Sequence, residues 1–171
     1  MLGSLPATVD PVLLAEKSTR LVGRITLRGM TRLRALLADD LGEVEVDLSF
    51  ERVEGSGLRR MCGRLAAAVN MTCQRCLEPM SIGLVAEPET ILLRPGELEG
   101  KLPSEAEALT FGPVPVALAE LIEDELLLVM PMVPMHPLNE CPARRYVTVG
   151  VTRDTTENPF ARLAQSKRNQ D

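Results

Sequence analysis

Two thiols stand two residues apart in Cys73-Gln74-Arg75-Cys76, the chain's one histidine is His136, and Cys141 follows it after four residues. These side chains are the best placed for chemistry, and three readings compete. A redox pair needs a lowered thiol pKa, most often supplied by a helix N-terminus or a neighbouring cation; Arg75 is one such cation. A zinc site needs four tetrahedral ligands, and CxxC at a β-turn supplies two, with His136 and Cys141 as the others. In the third reading the thiols are small, reduced and packed. The usual metal knuckle frees its backbone with Gly after the second Cys, and here Leu77 stands there. Cys62 lies eleven residues before Cys73. In an unbroken strand the two face opposite sides of the sheet, so Cys62 is not expected to be a ligand.

The elements that must position these residues follow from periodicity. Residues 20–29, 43–54, 58–73, 80–94 and 107–112 alternate or run apolar and are read as strands. The strands over 58–73 and 80–94 then form a hairpin with the CxxC at its tip. Residues 113–130 carry Leu118, Leu121, Ile122, Leu126 and Val129 at helical spacing, the stripe of a long amphipathic helix. Residues 10–18, with Asp10 before Pro11, and residues 31–40 are read as short accessory helices. The expected class is α+β, an antiparallel sheet with the long helix packed on it. One domain spans 1–149, with an acidic mobile loop over about 95–109 and a polar, partly disordered tail over 150–171. With three Phe, one Tyr and no Trp, its core must be aliphatic.

Composition narrows the function classes. No apolar run reaches the roughly 18 residues a membrane helix needs, and no basic segment followed by an apolar core opens the chain. Four cysteines without an export signal point to a reducing compartment, here the cytoplasm. The net charge of −5 does not favour nucleic acid, but the charge is segregated. Residues 1–77 sum to +2, residues 78–125 to −9 and residues 126–171 to +2. Arg20, Arg24 and Arg28 recur at steps of four, as do Arg60 and Arg64. With Arg75 they make a candidate surface for an RNA backbone, since guanidinium forks match phosphate oxygens. An equally weighted reading is a solvated sheet face, with these arginines paired to Glu43, Glu45, Asp47 and Glu51. Glu120, Glu123 and Asp124 share a helical face, expected to be the solvated side of the long helix. No P-loop, dinucleotide turn or Ser/His/Asp arrangement is present, and nothing points to an enzyme or a small-molecule substrate.

The order of motifs carries further information. Asp10-Pro11, the CQRC hairpin, Glu123-Asp124-Glu125 running into Pro131-Met132-Val133-Pro134, then His136, Cys141 and Asn158-Pro159-Phe160 follow one another. This series resembles the YceD family, the large ribosomal RNA subunit accumulation proteins, over residues 9–168. The resemblance implies a cytoplasmic, non-catalytic factor for the synthesis, processing or stability of 23S ribosomal RNA. It would act by binding that RNA or a ribosome-assembly protein. The family supplies no catalytic residues. Some relatives outside this branch carry a second CxxC after the helix, where this chain has Cys141 alone. The alternative of a different class is a thiol–disulfide or redox-sensing protein using Cys73 and Cys76.

Overall fold

A computed structural model describes residues 5–97 and 107–146. The expected acidic loop falls largely, and the polar tail wholly, outside the described residues. The chain divides into two compact units, Met1–His136 and Pro137–Asp171.

The first unit begins with β1 (Thr8–Val9) and α1 (Pro11–Glu16). Asp10 caps α1 by accepting the N–H groups of Val12 and Leu13 at 3.1 and 3.2 Å, with proline at the first helical position. The strands β2 (Arg20–Thr26), β3 (Glu43–Arg52), β4 (Arg59–Thr72), β5 (Pro79–Ala86), β6 (Glu89–Leu93) and β7 (Glu107–Thr110) form the main sheet. Its order is β2-β3-β4-β6-β7, with β5 also paired to β4. Every pairing in it is antiparallel except β6 with β7, which is parallel. β8 (Val116–Ala117) pairs with β1 and leads directly into α3 (Leu118–Leu128).

This is the expected α+β class, and the expected strands are present with shorter ends. The 20–29 strand stops at Thr26, and Leu27–Gly29 form a 3-10 turn carrying Arg28. The 80–94 strand is two strands, because Pro88 has no N–H to give the ladder. Its carbonyl instead accepts the Gly63 N–H at 3.2 Å. Register survives the break: Ala86 faces Leu65 and Glu89 faces Cys62. The 31–40 helix shrinks to α2 (Thr31–Arg34). Beyond it the backbone is captured elsewhere, with Ala38 N–H donating to Asn70 O at 2.7 Å and Asp39 accepting from Leu41 N–H and the Asn70 amide. The long helix starts at Leu118 rather than at 113, because Val116 and Ala117 pair with Val9 and Thr8. Pro113 and Pro115 also bias the residues before them toward extended backbone.

Val44, Val46, Leu48 and Phe50 of β3 and Met61, Leu65, Ala67, Val69 and Met71 of β4 face one side and are buried. Leu118, Leu121, Ile122 and Leu126 of α3 close over the same core. The core is aliphatic, as composition requires, with Phe50 the one aromatic that is fully buried among the described residues.

Glu123 departs from the expectation of a solvated helix face. It is 2 % exposed. Its carboxylate accepts the backbone N–H groups of Arg32 and Leu33 at 2.7 and 2.8 Å and the Arg32 guanidinium at 3.0 Å. α2 has no side-chain cap of its own, so Glu123 supplies one from α3. Desolvation that would forbid a lone carboxylate here is offset by these four donors.

Gly63 is where the sheet tolerates no side chain. Its φ is +153°, and a Cβ there would lie 2.1 Å from Asp47 O. We expect Gly63→Ala to lower unfolding free energy by about 3 kcal/mol. Gly83→Ala, at a position with no atom within 4 Å, should change it by less than about 0.5 kcal/mol. Urea melts of both variants check this; equal effects would contradict the backbone contact.

Candidate metal centre and the charged sheet face

The hairpin of β4 and β5 turns at residues 73–78. Cys73 N–H donates to Glu78 O at 2.9 Å, and Leu77 N–H closes the turn on Cys73 O at 2.9 Å. Leu77 takes the left-handed conformation, φ 62°, that a knuckle assigns to its glycine position. A leucine side chain does so at a cost of about 1–2 kcal/mol, and being 72 % exposed it meets no packing conflict.

The segment after α3 folds back onto this turn. Gln74 N–H donates to Pro134 O at 2.8 Å, and the Arg75 guanidinium reaches His136 O at 3.5 Å and the Met135 sulfur at 3.6 Å. His136 Nδ1 then stands 3.3 Å from Cys76 Sγ. Cys73 Sγ is buried and accepts the backbone N–H groups of His136 at 3.4 Å and Arg75 at 3.5 Å. Burial alone would push its thiol up. The N–H donors of Cys76, His136 and Arg75, with the Cys76 thiol, outweigh burial and bring the pKa down to about 5. Arg75 acts here through its backbone rather than its charge. In the second unit, Cys141 is buried and its N–H donates to Pro137 O at 3.1 Å, opening the 3-10 turn Pro142–Tyr146. The ligand atoms of Cys73, Cys76 and His136, all in the first unit, lie within 4.8 Å of one another. Cys62 is not in that group. It faces the other side of β4, as strand parity predicts, and burial pushes its thiol up.

The predicted arginines fall into three places. Arg20, Arg24, Arg60 and Arg64 lie on the outward face of the sheet, opposite the core. Arg20 holds Asp47 with two bonds of 2.7 Å, a fork that lowers the Asp47 pKa and raises that of Arg20. Arg24 bonds Glu45 at 2.9 Å, and Arg60 bonds Glu51 and Glu89 at 2.5 and 2.8 Å. Arg64 is exposed and has no ion pair among the described residues. Arg28 lies off the strand in its 3-10 turn near Asp40 at 3.9 Å, and Arg75 sits at the hairpin tip. Sequence reasoning named Pro134 and Glu123 but not the contacts they make here, and it did not single out Met135. Only Pro134 carried a local signal, as part of a proline-rich segment between two candidate ligands.

A family model described as large ribosomal RNA subunit accumulation protein YceD matches residues 61–167. The large ribosomal RNA subunit accumulation protein YceD of Haemophilus influenzae (strain ATCC 51907 / DSM 11121 / KW20 / Rd) is 33 % identical over 168 residues, covering 95 % of this chain and 96 % of that protein. No solved structure matches the chain. No helix among the described residues is long and apolar enough to cross a membrane.

The left-handed Leu77 gives a direct test of the knuckle. Leu77→Gly should hold or raise the thermal midpoint, by up to about 1 kcal/mol of stability. Leu77→Val, which adds a β-branch at positive φ, should lower stability by about 1 kcal/mol or more. A Gly variant less stable than the Val variant would mean that the turn differs in solution.

Proposed function

The chain belongs to the YceD family of large ribosomal RNA subunit accumulation proteins, and from that premise we propose that it is a cytoplasmic, non-catalytic factor supporting accumulation of 23S ribosomal RNA. The observation that carries this reading is the relative of that name, 33 % identical over nearly the whole of both chains.

Zinc is the group that Cys73, Cys76 and His136 fit, with Cys141 proposed as the fourth ligand. Three soft sulfurs and one imidazole make a closed structural set, with no position left open for a substrate. Tetrahedral zinc with usual bond lengths holds a sulfur and an imidazole nitrogen about 3.6 Å apart, close to the 3.3 Å between Cys76 Sγ and His136 Nδ1. The buried, N–H-bonded Cys73 sulfur is a thiolate in want of a cation. Zinc bound by Cys73, Cys76, His136 and Cys141 would supply a cross-link and no chemistry. The thiol-exchange alternative has the lowered Cys73 thiol it needs but lacks a helix N-terminus at the CxxC.

Two routes to the ribosome remain: RNA through Arg20, Arg24, Arg28, Arg60, Arg64 and Arg75, or an assembly protein. The charge arrangement favours the protein. Three of the four outward arginines are already forked or bridged to carboxylates. A phosphate backbone would have to displace those acids.

Three measurements test the proposal. Deleting the gene in its own host should lower the ratio of 23S to 16S RNA, and a plasmid copy should restore it; an unchanged ratio overturns the function. Protein purified without chelator should carry about one zinc per chain. Cys76→Ser and His136→Ala should lose it and Cys62→Ser keep it; a metal-free wild-type protein with an unchanged melt after chelation overturns the zinc. Filter binding to 23S RNA should depend weakly on salt, whereas six engaged arginines would give a log–log slope of about −4 to −5. A slope that steep, flattened by Arg64→Gln, would return the reading to direct RNA binding.

A further inference from the structure

We propose that the groove between the last strand of the sheet and α3 takes a basic β-strand of a partner protein, which extends the sheet at β7. The inference rests on the protein-partner reading above for its biological role, and names the place and the chemistry.

β7 ends the main sheet, and no strand lies beyond it among the described residues. Phe111 N–H donates across to Leu93 O at 2.9 Å. Because strand N–H groups alternate in direction, those of Ala108 and Thr110 point away from β6, toward the open edge. Such an edge is usually blunted by Lys, Pro or a bulge. Glu107–Thr110 carries none of these. The opposite edge, β2, carries Arg20 and Arg24.

The groove beside this edge has a volume of about 530 Å³. Thr90 and Leu92 of β6 pair with Glu107 and Leu109, and Thr90 is in register with the core residue Met61, so this row faces the helix side. Across from it stand Asp124, Glu125 and Leu128 of α3. Leu128 is 76 % exposed. Thr90 is buried, 2 % exposed.

Charge decides what fits. Asp124 is held by Arg32 at 2.7 Å, but Glu107 and Glu125 have no ion pair among the described residues. Burial, then Glu107 and Asp124, push the Glu125 carboxyl up, and Arg32 on Asp124 is the one cation paired with these acids among the described residues. A nucleic acid is repelled there. A strand whose helix-facing residues read basic, apolar, basic would set its cations against Glu107 and Glu125 and its apolar residue between Leu109 and Leu128. The open N–H and C=O groups of β7 supply the ladder, the mode of recognition known as strand addition.

The experiment is a titration of the isotope-labelled full chain, free of RNA, with the capped peptide Thr-Lys-Thr-Val-Thr-Lys-Thr, followed by amide NMR. The expected result is saturable shifts at Ala108 and Thr110. Exchanging the peptide lysines for glutamate, its valine for serine, or methylating its ladder nitrogens should each weaken binding by about tenfold or more. The pair Glu107→Gln and Glu125→Gln should do the same from the protein side, and Leu109→Ser is the independent apolar variant. Equal binding of the glutamate peptide, or shifts confined to other strands, overturns the proposal. So does tighter binding by a peptide of residues 158–168, or a dimer that Thr110→Pro dissolves, since either gives the edge to another occupant. If binding fails while 23S RNA still depends on the protein, the edge alone falls. If binding holds while 23S RNA is indifferent, the ribosomal reading alone falls.

Discussion

Everything in the first unit depends on β4 keeping one register along its whole length. It faces β3 from Arg59 to Ala67, β5 from Leu65 to Thr72 and β6 from Arg59 to Cys62, with no residue gained or lost. Side chains alternate with period two, so this single register sends Met61, Leu65, Ala67, Val69, Met71 and Cys73 inward and Arg60, Cys62 and Arg64 outward. A slip of one residue would exchange the two sets, placing guanidinium groups in the core and the ligand sulfur in solvent. The core and the candidate metal centre are consequences of one alignment. Gly63 guards it where a side chain would meet the β3 backbone.

A second constraint ties helix to helix. Buried carboxylates contribute little net stability when compared with a well-packed apolar residue, because desolvation consumes most of the attraction. Glu123 has a different effect. It satisfies two N–H groups at the start of α2 that no local side chain reaches, and it holds Arg32 between itself and Asp124. α2 is too short to persist alone. Its position is therefore set by α3, which brings Ala35 to Leu37 against the hairpin side of the sheet.

Much of this was legible in the sequence. The strands, the CxxC at a hairpin tip and the outward orientation of Cys62 all follow from period-two alternation, which is local and strong. The core stripe of α3 follows from its 3.6 period. The rest was hidden for identifiable reasons. Nothing near Thr31 announces a cap that arrives from Glu123 in α3. The two-residue ladder of β1 with β8 is too short to leave a pattern, yet it trims the start of α3. The split between β5 and β6 rests on Pro88, whose neighbours still alternate. The arginine stripes were visible as spacing, but their partners were not. Asp47 and Glu45 face them only because β2 and β3 pair in one particular register. The left-handed turn at Leu77 went against propensity, and only the closure of Leu77 N–H on Cys73 O makes sense of it.

Charge and closure together make the first unit asymmetric, and the asymmetry argues for an adaptor. At one end of α3 the chain is clamped: Pro134 and His136 are bound to Gln74 and Arg75, and the candidate ligands would add a metal to the same joint. The outward sheet face pairs three of its four arginines with carboxylates. Along the flank of α3 that meets β7, by contrast, among the described residues Glu107 and Glu125 stand without cations, Leu109 and Leu128 are exposed, and no strand pairs the far side of β7. A rigid joint and an unsatisfied edge suit a protein that presents one fixed surface to a basic partner. Such a partner would bring positive charge that a ribosomal RNA needs, most of which this chain has already paired with its own carboxylates.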